Sequence, residues 1–301
     1  MNTNVDDAPR ESVDHYTLLQ VLGRGSMGTV FLARDERTGQ RVALKLFHAH
    51  LRHLTREREL FFREIGVMKA FDHPLLVRIL DQGWTGDLLY LTMDYCDQGN
   101  VAALATEHRG CVPIDQAVGI VLQVLEGLEY AHAVLVPSVK KIGGFTSARG
   151  VVHRDIKPSN ILLCTGPNGL MARIGDFGLA KAFDLAGLTA LTRTGATGGT
   201  PPFASRQQAI NFKRVLPEVD VWATAATLYF MLTGCTPRDF PESIPGWKIV
   251  TDTAPIPVRC RNPDIPEQLA NVLDTALDDR SDLRFTTAAQ LKECLRTTMS
   301  V

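Results

Sequence analysis

The chain has 301 residues, which is long enough for one large domain or for two lobes with a substantial core. Its hydrophobic fraction of 45% and charged fraction of 22% are ordinary for a globular protein. The formal net charge is −1, so no global field favours nucleic acid or an anionic membrane as a partner, and we expect neither. The most apolar segment, 221–232, is too short to span a bilayer and predicts a buried helix.

The cysteines and the first residues indicate the compartment. Six cysteines are scattered without paired spacing, at Cys96, Cys111, Cys164, Cys235, Cys260 and Cys294. This distribution argues against a disulfide framework and a zinc site, and it favours a reducing cytoplasm. The opening MNTNVDDAPRES is polar and acidic, unlike a signal peptide or a membrane anchor, and we expect residues 1–14 to be a disordered lead-in.

The predicted elements change character along the chain. Strand patterns occur at 16–22, 29–33, 41–46, 76–80 and 88–93, with a helical segment at 56–71. Helical spacing dominates later, at 114–133, 219–232, 267–277 and 287–295. The order predicts an α+β fold in which a small β-rich lobe precedes a larger α-helical lobe.

A glycine-rich loop lies between the first two predicted strands. It reads Gly23-Arg24-Gly25-Ser26-Met27-Gly28, and its glycines would let backbone N–H groups approach phosphate oxygens. Alone the motif is weak, and a flexible hairpin explains it equally well. A dinucleotide-binding motif is excluded because 29–33 has the pattern of a strand and not of a helix.

Two acidic motifs follow at close range. The stretch HRDIKPSN contains a candidate base, Asp155, a cation beside it, Lys157, and a carboxamide able to bind metal, Asn160. The following Asp-Phe-Gly places the Asp176 carboxylate on a turn. Phosphoryl transfer requires a nucleophile held in line, metal ions and cations near the developing charge, and these segments supply such groups.

Together the motifs resemble those of eukaryotic-like (Hanks-type) serine/threonine protein kinases, over residues 16–296. The resemblance implies a bilobal kinase domain at 15–297. Its N-lobe, 15–95, would be a small antiparallel sheet with one main helix, and its C-lobe, 96–297, would be helical. It further implies transfer of the γ-phosphoryl group of Mg-ATP, with Mn²⁺ as a substitute metal, to Ser or Thr hydroxyls of protein substrates. The loop ending in Ser-Met-Gly indicates the bacterial subgroup.

The resemblance assigns roles in the catalytic loop and the metal-binding turn. Asp155 would accept or align the substrate proton, and Lys157 would stabilise the transferring group. Asn160 and Asp176 would hold magnesium. Lys45, which lies in an apolar strand, would reach the phosphates and pair with Glu64. His153 and Phe177 would stack with Met68 on the helix that carries Glu64.

The resemblance also assigns nucleotide contacts. They are Leu22, Gly23, Arg24, Gly25, Ser26, Met27, Gly28, Val30, Ala43, Lys45, Met93, Asp94, Cys96, Asn100 and Leu162. Met93 would guard the back pocket. The Asp94 carbonyl and the Cys96 N–H would bind the base edge, and Asn100 would approach the ribose. For the apolar residues among them, core packing is an equally good explanation.

The substrate side carries a second set of assignments. Lysine at position 157 is the serine/threonine version of the loop, and Thr200 would hydrogen-bond Asp155 and Lys157 in a substrate segment. Thr192 and Thr194 are the predicted autophosphorylation sites, with Arg154 as the phosphate partner. A dimer would allow this reaction in trans.

Three departures from the family pattern leave alternatives open. Asp220-Val221-Trp222 is kept, but Ala223 and Ala225 replace the usual small polar residue and glycine. Ser205-Arg206-Gln207 replaces the usual Ala-Pro-Glu, and we expect Gln207 to bind Arg284, so that Gln207→Glu would raise stability by about 1 kcal/mol. An extra segment at 134–149 predicts an exposed loop. The alternative functions are a nucleotide-binding pseudokinase scaffold, suggested by the altered segment, and a small-molecule phosphotransferase, which Thr200 and Lys157 argue against.

Overall fold

The structure is a computed structural model. It describes residues 12–25, 28–50, 62, 65–66, 68–69, 71–86, 88–136, 148–167, 169–177, 199–211 and 215–299. Among these residues, no helix combines the length and the apolar character that crossing a membrane requires.

The first part of the chain forms a six-stranded antiparallel sheet. Its strands are β1 (Ser12–Val13), β2 (Tyr16–Gly25), β3 (Gly28–Asp35), β4 (Arg41–His50), β5 (Ile79–Thr85) and β6 (Leu88–Asp94). They lie in the order β1-β2-β3-β4-β6-β5. The turn between β3 and β4 is tight because Asp35 accepts the Arg37 N–H at 2.8 Å and Gly39 has a φ of 75°.

The alternation of side chains in β4 defines the two faces of this sheet. Val42 and Leu44 pack in a cluster with Tyr16 and Tyr90 on one face. Ala43 and Phe47 belong to the opposite face, where they join the helical residues Ile65 and Met68, and Lys45 shares their parity. The strand period therefore places the lysine on the helix-covered face.

Two predictions in this region need correction, and two remain open. Ser12 and Val13, assigned to the lead-in, form β1, and Val13 is fully buried. The strand predicted at 76–80 instead runs from Ile79 to Thr85, because Leu75 and Val77 exchange backbone hydrogen bonds of 2.9 Å with Ile174. In the helix predicted at 56–71, the described residues 62, 65–66 and 68–69 are helical, and the lobe boundaries stay a prediction.

Helices dominate the later part of the chain. They are α1 (Val101–Glu107), α2 (Ile114–Ala133), α3 (Arg206–Ile210), α4 (Glu218–Thr233), α5 (Gly246–Asp252), α6 (Val258–Arg261), α7 (Glu267–Leu277) and α8 (Ala288–Thr298). The bounds of α2 and α7 equal the predicted ones, α4 is one residue longer at each end, and α8 begins one residue later than predicted and ends three later.

Helix α4 is the centre of the helical core. Its residues are almost all buried, and it packs against α2 and α7. A helix that is mostly apolar around its whole circumference is stable only inside a protein, which agrees with this placement. Trp222 donates its indole N–H to the Leu277 carbonyl at 3.0 Å, and Gly234 ends the helix with a φ of 69°.

The extra segment at 134–149 is closed at its base. Strands β7 (Leu135–Val136) and β8 (Ala148–Arg149) pair antiparallel, and residues 137–147 lie outside the described part. Gly150 follows with a φ of 80°, and a Cβ there would lie 2.3 Å from the His132 carbonyl oxygen. The chain thus leaves and re-enters the core at one place, so the segment does not displace the residues after it.

Candidate active site

The segment that follows Gly150 is held by a buried carboxylate in α4. Asp220 accepts the backbone N–H of His153 at 2.7 Å and of Arg154 at 2.8 Å, and its Oδ2 also lies 2.8 Å from His132 Nε2. Asp220 is fully buried, so these three partners offset the cost of removing its charge from water. Arg154 has a φ of 71°, a strained conformation that these contacts keep in place.

Three polar side chains meet at Asp155. Its Oδ1 accepts the Thr200 hydroxyl at 2.9 Å, and its Oδ2 accepts Lys157 Nζ at 2.7 Å and Asn160 Nδ2 at 3.2 Å. Lys157 Nζ also donates to Thr200 Oγ1 at 2.8 Å. The predicted hydrogen bonds of Thr200 to Asp155 and Lys157 are therefore confirmed. Asp155 remains about a quarter exposed, with 23% of its side chain accessible.

A hairpin carries the chain from Asn160 to Asp176. Strands β9 (Ile161–Gly166) and β10 (Gly169–Ile174) pair antiparallel, and the Gly175 N–H returns to the Asn160 carbonyl at 2.8 Å. His153 Nε2 lies 2.9 Å from the Gly175 carbonyl oxygen. The hairpin therefore brings two candidate metal ligands, separated by sixteen positions in the numbering, to one end of the same pair of strands.

Asp176 forms an ion pair between the lobes. Lys45 Nζ donates to its Oδ2 at 2.6 Å, and only 8% of the lysine side chain is exposed. Burial alone would raise the pKa of the Asp176 carboxyl, but the charge and hydrogen bond of Lys45, together with the charges of His153 and Lys157, outweigh burial, and the net pKa is lowered. The predicted partner of Lys45, Glu64, lies outside the described residues.

The predicted contact between His153 and Phe177 is present, and Phe71 adds one that was not predicted. The rings of His153 and Phe177 meet edge to face with centroids 4.9 Å apart, and Phe71 contacts Phe177 at 5.7 Å. Met68 lines the same small cavity as Phe71 and Phe177. The turn that carries Asp176 is thereby packed against the helix of the first lobe.

The glycine-rich loop connects β2 to β3. Leu22, Gly23, Arg24 and Gly25 are exposed at the end of β2, and residues 26–27 lie outside the described part. Gly28 is buried, and a Cβ at this position would lie 2.3 Å from the Leu46 carbonyl oxygen. The backbone of β3 therefore approaches β4 so closely at this point that only glycine fits.

The residues predicted to hold the base lie around the connection between the lobes. Ala43 and Met93 belong to one buried cluster, against which Val30 packs, and Leu162 lies on β9 of the other lobe. Cys96 is buried in the connection, and burial raises the pKa of its thiol to about 12.

Two other residues of this set have structural partners. The Asp94 carboxylate is bound by the Arg78 guanidinium through two hydrogen bonds of 3.0 and 3.1 Å, by the Arg78 backbone N–H at 3.3 Å and by Arg173 Nη1 at 3.0 Å. The Asn100 side chain caps α1 by accepting the Ala103 N–H at 3.0 Å. The ribose contact of Asn100 stays a prediction, while its capping of the helix is what the structure describes.

The side-chain oxygens at the end of the hairpin are suited to binding a hard divalent cation. Asn160 donates both of its recorded side-chain bonds through Nδ2, to the backbone and the carboxylate of Asp155, so its Oδ1 is the atom suited to a metal. Asp176 receives Lys45 on Oδ2, and its Oδ1 is the corresponding ligand atom. Carboxylate and amide oxygens are the ligands that Mg²⁺ prefers.

The predicted pairing of Gln207 with Arg284 is wrong. Gln207 Nε2 donates to two backbone carbonyls, those of Asp279 at 3.3 Å and Ser281 at 2.5 Å, and Arg284 is exposed. The buried arginine of this region is Arg238, which binds Asp279. Arg238 lies in an irregular segment after α4, so its position in the sequence gives no indication that it lies near Gln207 in space.

Sequence reasoning did not assign several residues that organise the site. Asp220, His132 and Gln208 support the catalytic loop, and Gln208 Nε2 donates to the Arg154 carbonyl at 2.7 Å. For Asp220 two signals are present in the sequence: it belongs to a motif that the family keeps, and it is an acid near the start of a largely apolar helix. For Gln208 no comparable sequence signal exists.

The fold and these contacts define the class of protein. An antiparallel sheet with a glycine-rich hairpin, a helical lobe and a cleft between them that contains Asp155 and Asp176 form the protein kinase fold. The kinase domain of PknI from Mycobacterium tuberculosis superposes with a TM-score of 0.69 at 23% sequence identity, over 95% of this chain and 97% of that chain.

The sequence comparisons identify the family. Residues 16–296 match the protein kinase domain family. The serine/threonine-protein kinase PknB of Mycobacterium leprae is 32% identical over 290 residues, which are 94% of this chain and 43% of that protein. The probable serine/threonine-protein kinase SCO3848 of Streptomyces coelicolor is 30% identical over 292 residues, 95% and 40% respectively. This chain therefore belongs to the protein kinase family, in the group of bacterial Hanks-type serine/threonine kinases, and it spans less than half the length of these relatives.

Proposed function

We propose that this protein is an active serine/threonine protein kinase that transfers the γ-phosphoryl group of ATP to a Ser or Thr hydroxyl of a protein substrate. The observation that carries the proposal is the hydrogen-bonded group of Asp155, Lys157 and Thr200, joined to Asn160. The relatives named above are serine/threonine kinases by name, which supports the same substrate class.

Asp155 would act on the substrate hydroxyl. The hydroxyl oxygen forms a bond to the γ-phosphorus, the bond from that phosphorus to the β–γ bridging oxygen breaks, and ADP leaves with the electron pair. Asp155 accepts the proton that the hydroxyl loses. Lys157 donates to Asp155 in the free enzyme and would turn its ammonium towards the transferring group, where negative charge develops.

Lys45, Asn160 and Asp176 would hold the phosphate side of the site. Lys45 is nearly buried on the sheet and already faces Asp176, so a phosphate placed between the lobes would meet its ammonium. Asn160 and Asp176 would bind Mg²⁺, or Mn²⁺ in its place, through their side-chain oxygens. When bound, the metal neutralises phosphate charge. The lowered pKa of Asp176 keeps this ligand ionised at neutral pH.

These groups argue for an active enzyme over the pseudokinase scaffold. The feature that suggested the scaffold was the altered segment 205–207. Gln207 in that segment is tied to the Asp279 and Ser281 carbonyls, and Thr200 still reaches Asp155. The altered residues therefore leave the contacts around Asp155 intact.

Substrate choice and regulation form the finer part of the proposal. Thr200 bridges Asp155 and Lys157, an arrangement suited to docking a peptide and not a small molecule. We keep Thr192 and Thr194, which lie outside the described residues, as the autophosphorylation sites, with a transient dimer for reaction in trans. The unpaired cysteine spacing supports the cytoplasm as the compartment.

The decisive experiment is magnesium-dependent phosphate transfer to a generic basic protein, with phosphosites mapped by mass spectrometry. We expect Asp155→Asn to lower turnover by about a hundredfold to ten-thousandfold, because a positioned base is lost, with ATP affinity within about twofold of wild type. The exposed Asp264→Asn serves as the matched control. Wild-type turnover in Asp155→Asn would contradict the role of Asp155, and an inactive wild type that still binds ATP would favour the scaffold.

A further inference from the structure

A buried ion pair lies below the segment that carries Thr200. Arg238 Nη2 contacts both carboxylate oxygens of Asp279, at 2.7 and 2.6 Å, and the side chains are 2% and 0% exposed. Arg238 Nε also donates to the Thr253 carbonyl at 3.1 Å, and the guanidinium lies over the Trp222 ring at 5.3 Å. Every partner of this pair belongs to the helical lobe.

A contribution to the stability of the fold does not by itself explain why this ion pair is buried. Removing two charges from water costs several kcal/mol per ion, and apolar side chains of similar volume often stabilise a fold equally well or better. The carboxylate, however, has a further partner. Asp279 Oδ2 accepts the backbone N–H of Arg206 at 2.8 Å, and Arg206 is the first residue of α3.

Helix α3 is anchored at two further points. Gln207 Nε2 binds the carbonyls of Asp279 and Ser281, and thus returns to the loop that carries the ion pair. Gln208, which is 2% exposed, reaches the other way and donates to the Arg154 carbonyl at 2.7 Å. One short helix therefore connects the buried pair with the residue before Asp155.

The same helix is close in the chain to Thr200. A 3₁₀ turn, Pro201–Phe203, connects the two, with the Phe203 N–H bonded to the Thr200 carbonyl at 2.9 Å. Ser205 then caps α3 by accepting the Gln208 N–H. A displacement of α3 would consequently move both Gln208 and Thr200, the two groups that reach the catalytic loop.

We propose that Arg238 and Asp279 are positioning residues for the substrate side of the kinase reaction. Through the Arg206 N–H they fix α3, so that Gln208 supports Arg154 and Thr200 reaches Asp155. Asp279 supplies, from another part of the helical lobe, a carboxylate in place of the glutamate that the family usually has at position 207. The inference rests on the proposed kinase function, and its substrate is the phosphoacceptor protein.

The test distinguishes the effect of losing the two charges from the effect of losing the hydrogen-bond acceptor for the Arg206 N–H. The variant Arg238→Met with Asp279→Leu replaces the pair by apolar side chains and removes the acceptor. The variant Arg238→Met with Asp279→Asn also removes both charges but keeps an oxygen for the Arg206 N–H. The exposed neighbouring pair provides the matched control, as Arg280→Met with Asp278→Leu. Thermal unfolding and steady-state kinetics for ATP and for the protein substrate are measured for each.

We expect the Met/Leu variant to lower kcat/KM for the protein substrate by about tenfold, since one hydrogen bond to a charged group is lost, with KM for ATP within about twofold of wild type. The Met/Asn variant should recover most of this loss, and the control should equal wild type. A folded Met/Leu variant with wild-type kcat/KM for protein substrate would overturn the proposal. So would equal losses in the Met/Leu and Met/Asn variants.

Hydrogen exchange keeps the proposal testable if the Met/Leu variant does not fold. In wild type, the Arg206 amide should exchange at least about tenfold more slowly than the Gly246 and Trp247 amides at the start of α5, a helix that no side chain caps within the described part of the chain. Equal exchange rates would overturn the proposal. An inactive wild type with a protected Arg206 amide would contradict the proposed function but leave the anchoring of α3 in place.

Discussion

At the scale of single residues, Asp155 owes its geometry to donors from three different segments. Thr200 arrives from the substrate segment, Lys157 from the same loop, and Asn160 from the 3₁₀ turn that follows. The motif contained Asp155, Lys157 and Asn160, and the resemblance added Thr200. The distances between these side chains depend on the backbone conformation of the loop, which Asp220 holds through the His153 and Arg154 N–H groups.

Thr200 offers a prediction at this scale. Thr200→Ala removes the hydroxyl that bridges Asp155 and Lys157, so we expect kcat/KM for the protein substrate to fall about tenfold, with nucleotide affinity retained. Thr200→Ser keeps the hydroxyl and should remain within about twofold of wild type. Steady-state kinetics with varied protein substrate measure both. Equal activity of the alanine and serine variants would contradict the role of the hydroxyl.

At the scale of elements, the contacts between the short helix α3 and the loop after α7 correct the prediction made for position 207. The sequence suggested that position 207 had lost a charged partner. In the structure the amide of Gln207 is the appropriate group, since it donates to two carbonyl oxygens. Gln207 Oε1 is buried and has no hydrogen-bond donor within the part of the chain that the structure describes.

The expected effect of Gln207→Glu is therefore reversed. A carboxylate would face the Asp279 and Ser281 carbonyls without a proton to donate, so we expect a loss of about 1–3 kcal/mol in the free energy of unfolding. Gln268→Glu, at an exposed position in the first turn of α7, should be neutral or slightly stabilising. Denaturant unfolding at neutral pH compares the two. An increase in stability in Gln207→Glu would restore the original expectation of a cationic partner.

Asp274 in α7 provides a pH-dependent prediction. Burial raises the pKa of its carboxyl, although the Val258 N–H bond of 2.8 Å acts in the opposite direction. A raised folded-state pKa means that the contribution of Asp274 is most favourable below its ordinary pKa of 3.8 and is lost as pH rises through the folded value. Asp274→Asn keeps an oxygen for Val258, so it should stabilise the fold at neutral pH, with a gain that shrinks on acidification.

Asp278 serves as the control, because its pKa is shifted in the opposite direction to that of Asp274. The hydrogen bond from Arg280 lowers the pKa of Asp278, so its contribution is present above the ordinary value and is lost on acidification. Asp278→Asn should therefore lose a little stability at neutral pH, and only a little because the pair is exposed. Unfolding curves over a pH series test the pair of variants. The same pH trend in both would show that the burial of Asp274 is not the cause.

At the scale of the whole molecule, the two lobes are joined by backbone and by charge. Leu75 and Val77 exchange backbone bonds with Ile174. The Asp94 carboxylate, at the end of β6, binds Arg78 of the first lobe and Arg173 of the second. The Lys45–Asp176 pair adds a contact across the cleft. Relative motion of the lobes must stretch these contacts.

Arg173→Met tests the charged part of this connection. Asp94 keeps its bonds from the guanidinium and the backbone N–H of Arg78, so we expect stability to change by less than about 1 kcal/mol, while amide exchange in the connection 95–99 accelerates by up to about tenfold. Arg78→Met, at a side chain that is 56% exposed, should have a smaller effect. Unchanged exchange in Arg173→Met would mean that the backbone bonds alone hold the lobes.

The sequence by itself determined the order of the elements, the bounds of α2 and α7 and the residues of the catalytic loop. Periodicity and motif spacing are local properties of a chain, so they can be recognised without a fold. Tertiary structure alone decided which distant groups pair. Asp220 with His153, Gln207 with two carbonyls instead of Arg284, and Arg238 with Asp279 all depend on how helices pack. A buried charge or amide selects its partner by distance in space, and distance along the chain carries little information about that choice.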